Sequence, residues 1–191
     1  MKLTVKNIER IWVDVPYREV PRRNMIRELP HWTIMELCRV TLENDVVGVG
    51  ETMPFYTWGT VTDESVQRAM GKTATEIMWD DSLGAGLQMA LFDAVGKSCE
   101  VPLHQLMGQQ VRDDAFVSWW SIDMSPEDWL LECQESIKQG YTSYKFKARP
   151  WFDLDKQMST VTAEVPDYFE IDLDFNTMCN SSAHAVRLLR A

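Results

Sequence analysis

The spacing of hydrophobic and polar residues changes character twice along the chain. Leu3 to Val15, Thr33 to Leu42 and Val46 to Glu51 are rich in β-branched residues, and Glu43-Asn44-Asp45 between the last two suits a hairpin turn. These runs predict a small antiparallel sheet. Pro16 to Trp32 is rich in proline and arginine without periodicity, which reads as a long surface loop of the kind that often serves a site. Met53 to Gly59 reads as a second such loop, with Phe55, Tyr56 and Trp58 near its tip. From Thr62 the period becomes helical. Ser82 to Val95 places Leu83, Leu87, Ala90, Leu91 and Ala94 on one face, with Asp81 or Ser82 as N-cap and Gly96 at the end.

After Arg112 strands and helices alternate. Ala115 to Trp120, Thr142 to Lys147 and Tyr168 to Phe175 read as strands. Helices are predicted from the capping box Ser125-Pro126-Glu127-Asp128 to Gly140, along Leu154, Met158, Val161 and Val165, and over Asn180 to Arg190. This order implies a parallel sheet with right-handed crossovers. The later strands alternate: Tyr144 and Phe146 oppose Lys145 and Lys147, while Ile171, Leu173 and Phe175 oppose Asp172, Asp174 and Asn176. A polar inner face with an apolar outer face under helices suits a (β/α) barrel with its site at the C-terminal ends of the strands. Such a barrel needs eight strands, and three are present. The expected architecture is therefore an α+β capping domain, residues 1–111, followed by the first three βα units of an incomplete (β/α) barrel, residues 112–191. The chain is expected to be the N-terminal portion of a longer protein.

Composition narrows the class. The formal net charge of −10 disfavours nucleic acid and anionic membrane as partners. With no apolar N-terminal core and no stretch near the length of a membrane span, the expected location is cytoplasmic. Cys38, Cys99, Cys133 and Cys179 lie far apart without C-x-x-C spacing, so free, buried thiols are expected rather than a zinc site or disulfide framework.

The candidate chemistry lies at the ends of the second and third parallel strands. Lys145 and Lys147 share a strand face, where mutual repulsion and partial burial favour one of them as a base. Asp174 on the next strand is placed as a hard oxygen ligand for Mg²⁺, with Asn176 supporting it. One carboxylate is an incomplete ligand set. Asp172 is expected in a structural ion pair. Trp119 and Trp120 point oppositely, so at most one faces a site. His31, Tyr56 and Trp58 are candidate substrate-facing residues of the two loops.

Lys145-Phe146-Lys147 and Asp174-Phe175-Asn176, in that order and spacing, together with Gly48-Val49-Gly50-Glu51 and the Val101-Pro102-Leu103 to Leu106-Met107-Gly108 phrase, resemble the mandelate racemase/muconate lactonizing branch of the enolase superfamily. The resemblance implies a Mg²⁺-dependent isomerase or lyase that abstracts the α-proton of a small carboxylate substrate, as a racemase, dehydratase or cycloisomerase. It implies Lys147 as general base, Lys145 as the partner that tunes it or faces the substrate carboxylate, and Asp174 as the first Mg²⁺ ligand. The chain alone is expected to be inactive and to self-associate through the open barrel edge. The alternative is a non-catalytic remnant or interaction module built from a capping domain and an aborted barrel.

Overall fold

The computed structural model describes residues 2–56 and 59–190. In chain order it begins with β1 (Val5–Asp14), α1 (Glu19–Met25), β2 (Ile34–Leu42), β3 (Val47–Thr52), α2 (Asp63–Ala69), α3 (Ala74–Ile77), α4 (Ala85–Cys99) and α5 (Leu103–Met107). It continues with β4 (Trp119–Trp120), α6 (Pro126–Lys138), β5 (Ser143–Lys147), α7 (Leu154–Thr162), β6 (Glu170–Asp174) and α8 (Ser182–Leu188). The contacts form two compact units. One runs to Pro16 and again over Pro30–Asp113; the other takes Tyr17–Leu29 and the chain from Asp114 onward.

In the first unit, β1, β2 and β3 form an antiparallel sheet in that order. Asp45, at φ 64°, turns the chain between β2 and β3, a conformation that Asp tolerates better than most residues. The sheet buries Cys38, Val40 and Leu42 against Leu87, Ala90, Leu91 and Ala94 of α4. That contact depends on Gly48 and Gly50 of β3. A Cβ at Gly48 would overlap the Ala90 carbonyl oxygen and Ala94, and one at Gly50 would overlap the Gly86 carbonyl oxygen and Ala90. These glycines let a strand and a helix meet backbone to backbone.

The ends of α4 differ from the sequence expectation. A 3₁₀ turn, Asp81–Leu83, occupies the predicted first turn, and Asp80 caps it by accepting from the Ser82 N–H at 3.0 Å. Gly84, at φ 90°, then separates that turn from α4. The helix also continues past Gly96 to Cys99 and closes on Glu100 in the left-handed region. Gly96 is buried because the chain folds back onto it: a Cβ there would lie 3.1 Å from the Val101 carbonyl oxygen.

In the second unit, β4, β5 and β6 form a parallel sheet in that order. Its apolar face carries Tyr144 and Phe146, both fully buried, with Trp129 of α6 stacked on Phe146 at 4.2 Å. The predicted first strand is much shorter than expected. Pairing begins at Trp119 opposite Tyr144, and β5 itself starts at Ser143, so residues 115–117 lie beyond the ladder and Phe116 is 99% exposed. No closed barrel is formed among the described residues.

Residues 17–29 are not simply a loop. Glu19 in the first turn of α1 and Arg22 and Arg23 in its last complement the helix dipole, and Pro21 sits in the first turn where its missing N–H costs little. Arg18 forms a two-pronged ion pair with buried Glu132 of α6, at 2.6 and 3.0 Å. Arg23 and Asn24 both donate to Asp128 of the same helix. Long-range ion pairs of this kind leave no periodic trace in sequence.

Cys38 and Cys133 are buried, and burial, chiefly, pushes each thiol up to about 12. Cys99 is exposed and Cys179 half-buried, contrary to the expectation for all four. Among the described residues, no helix is long and apolar enough to cross a membrane.

Candidate active site

The parallel ladder places Lys147 directly opposite Asp174, and Lys145 opposite Asp172. Alternation along β5 turns Tyr144 and Phe146 under the helices and leaves both lysines on the other face. Both ammonium groups converge on one oxygen. Asp174 Oδ2 lies 2.8 Å from Lys147 Nζ and 3.0 Å from Lys145 Nζ. Asn176 completes the group: its backbone N–H donates to Asp174 Oδ1 at 2.9 Å, and its side-chain Oδ1 accepts from Lys147 Nζ at 2.8 Å. The hydrogen bond from Lys147, aided by those from Lys145 and the Asn176 N–H, outweighs the opposing effect of burial and holds the Asp174 carboxyl well below the usual carboxylate range.

The backbone after β6 is shaped for this arrangement. Asn176 and Thr177 take φ of 45° and 69°. The left-handed region is tolerable for Asn and costly for a β-branched Thr, so the surroundings must hold it.

Four predicted residues, Lys145, Lys147, Asp174 and Asn176, are thus brought together. Asp172 forms no ion pair among the described residues, which corrects the expectation for it. Nothing in the register faces it except Lys145, and that side chain turns to Asp174. In the first unit, His31 packs on Phe55 at 5.0 Å and Tyr56 meets Trp32 edge-on at 4.8 Å; Trp58 lies outside the described residues.

Two further participants join this lysine group, of which only Arg149 was not noted from sequence. Trp120 is the tryptophan of the pair that faces the lysines, its ring 6.0 Å from Lys147 Nζ, whereas Trp119 donates to Glu132 and lies under the Arg18 guanidinium at 4.3 Å. Arg149, two residues beyond Lys147, reaches Asn176 Oδ1 at 3.2 Å and the Asp174 carbonyl oxygen at 3.4 Å. The strand alternation 145, 147, 149 was the available signal for it. A cavity of about 320 Å³, lined by Arg149, Phe152, Phe175 and Met178 among others, is mainly apolar and does not include the lysines.

The donor chemistry can be compared with that of a bound Mg²⁺. Asp174 offers an ionised hard oxygen, which suits the ion in kind. Among the described residues, no group of three or more His, Cys, Asp or Glu is placed to hold a metal. Asp174 therefore fits as one member of a ligand set.

Parts of the chain are similar to known proteins. Residues 60–108 match the family model for the N-terminal domain of mandelate racemase/muconate lactonizing enzymes. An N-succinyl-L-Arg/Lys racemase of Bacillus cereus is 29% identical over 108 residues, 56% of this chain and 29% of that protein. A chloromuconate cycloisomerase of Cupriavidus pinatubonensis is 27% identical over 165 residues, 72% of this chain and 43% of that protein. The L-Ala-D/L-Glu epimerase structure from Bacillus subtilis superposes with a TM-score of 0.74 at 20% identity, covering 98% of this chain and 57% of the other. The muconate lactonizing enzyme of Pseudomonas putida gives 0.69 at 20% identity, over 97% and 55%. These structural likenesses show the fold.

The family model, over residues 60–108, and the relatives point to the mandelate racemase/muconate lactonizing branch of the enolase superfamily. The chain spans less than half the length of the two relatives and a little over half that of the two structures.

Proposed function

We propose that this chain carries part of a Mg²⁺-dependent site that removes the α-proton of a small carboxylate substrate, in the manner of a racemase, dehydratase or cycloisomerase. Residues 1–111 are then a capping domain, and residues 112–191 the first three βα units of a (β/α) barrel. The observation that carries this reading is the convergence of Lys145 and Lys147 on Asp174 at the ends of adjacent parallel strands. The relatives support it: a racemase, a cycloisomerase and a dehydratase of Picrophilus torridus, 31% identical over 65 residues, are named for N-succinyl amino acids, chloromuconate and aldonates, all carboxylates.

Lys147 is the base. It must first release Asp174 Oδ2 and give up one ammonium proton to water, since a base presents a free lone pair to the substrate proton. Lys145, more exposed, faces the substrate carboxylate. Asp174 would hold Mg²⁺, which when bound supplies positive charge to that carboxylate. Asn176 keeps the Lys147 side chain directed along the strand end. Asp174 supplies one ligand of several, so the 191-residue chain alone is expected to show no α-proton exchange.

Chemical-shift mapping of the labelled chain with Mg²⁺ and N-succinyl-L-lysine tests the reading. Perturbation centred on Lys145 and Lys147 and lost in Asp174→Asn is expected; perturbation elsewhere, or none, contradicts it. Robust Mg²⁺-dependent exchange of the substrate α-proton in D₂O, abolished in Lys147→Ala, would instead show that the chain holds a complete site. The unpaired outer edge of β6 is proposed to drive self-association, and a monodisperse monomer in sedimentation velocity would refute that.

A further inference from the structure

We propose that Arg149 is a positioning residue of this site, fixing Asn176, and through it Lys147, by tying the ends of β5 and β6 together; this rests on the proton-abstraction reading above. The Arg149 side chain is only 10% exposed, and its donors point inward. One terminal nitrogen donates to the carbonyl oxygens of Ala148 and Asp174, at 3.1 and 3.4 Å, and the other to Asn176 Oδ1 at 3.2 Å. Behind it, Arg149 Nε lies 3.7 Å from Asp123 Oδ1 in the segment after β4, and the other oxygen of that buried carboxylate accepts from Trp151 Nε1 at 3.2 Å. One planar guanidinium therefore links segments that follow three neighbouring strands.

This arrangement answers two needs. Asn176 and Thr177 hold the left-handed backbone noted above, and shortly before them the Asp174 carbonyl accepts from the Ala148 N–H at 3.1 Å and from Arg149 as a second donor at 3.4 Å. Asn176 Oδ1 accepts from Lys147 and Arg149 together, so its direction does not depend on the lysine it is meant to orient. Because its donors serve these groups, Arg149 is not a clamp for the substrate carboxylate. A lysine in its place could not span them, since a point charge on a flexible stem lacks the fork of the guanidinium.

The test uses the ¹⁵N-labelled 191-residue chain, without metal or substrate, and reads the Lys147 side-chain N–H signal and the Asn176 side-chain amide. In Arg149→Lys, exchange of the Lys147 Nζ protons with water is expected to quicken about tenfold, the factor carried by one hydrogen bond to a charged group. The Asn176 amide shifts, while the urea midpoint and the circular dichroism stay near wild type. Unchanged signals at both residues overturn the proposal, because retained charge would then suffice without the fork. If Arg149→Lys fails to fold, Asp123→Asn decides: it leaves the guanidinium but loosens its anchor, and a shifted Asn176 amide supports the role whereas an unshifted one refutes it. None of these signals needs turnover, so absence of site binding by Mg²⁺ and carboxylate counts against the proposed function alone.

Discussion

The two sheets each cover one face with helix, but different chemistry holds them in place. In the first unit, β3 meets α4 through Gly48 and Gly50, with backbone against backbone and an apolar core beneath. In the second, aromatic rings fill the covered face, while α1 and the strand ends are held by charged groups: Arg18 to Glu132, Arg23 to Asp128, and Lys145 and Lys147 to Asp174. A close apolar contact has no room to adjust, so its failure is a failure of folding. A charged network fails by degrees and first loses geometry. The candidate chemistry lies in the region where geometry can change without loss of the fold.

This contrast sets the order of expected effects. Gly48→Ala or Gly50→Ala forces a methyl group into the α4 backbone and should cost about 3 kcal/mol or more, or prevent folding, as read by urea denaturation. Arg18→Ala strands the buried Glu132 carboxylate with only the Trp119 N–H, but Arg18 is itself nearly half exposed. Its loss is therefore discounted to about 1–2 kcal/mol. Lys147→Ala should cost less than about 1 kcal/mol, since Lys145 still faces Asp174, leaving a folded chain with an altered site. A large loss there would erase the distinction between the two regions.

Acid should act on the charged region first. Burial raises the Asp128 carboxyl, but hydrogen bonds from Arg23 and Asn24 and the charge of Arg23 outweigh that and hold it below its ordinary value. A depressed carboxyl contributes stability that is present above the unfolded value, about 3.9, and is lost as pH falls through the folded one. The urea midpoint should thus stay level from neutral pH down to about 5 and decline below about 4, and Asp128→Asn should flatten that decline. At the smallest end, Lys6 and Asp45 pair on the open surface, and Lys6→Ala should leave the midpoint unchanged within error.

Sequence periodicity located the hairpin of β2 and β3, the helical face of α4 and the strands carrying Lys147 and Asp174, because each is written in local alternation. It placed the wrong residues at both ends of α4, since Asp80 and Gly84 act through a short turn with no period of its own. It took residues 17–29 for a loop because the partners that stabilise α1 lie more than a hundred residues away. Gly48-x-Gly50 was legible as a motif, but its physical cause, the approach of α4, required three dimensions. At the site, spacing brought Lys145, Lys147, Asp174 and Asn176 to one face; that Asp174 satisfies both lysines, and that Arg149 secures Asn176, follows from register across strands.

Paramagnetic broadening by Mn²⁺, standing in for Mg²⁺, tests most directly the proposal that Asp174 receives a cation. Titrated into the ¹⁵N-labelled chain, Mn²⁺ should first broaden the signals of Lys145, Lys147, Asp174 and Asn176, and Asp174→Asn should abolish that pattern while the fold is retained. Broadening that centres on other carboxylates, or that persists unchanged in Asp174→Asn, would contradict it.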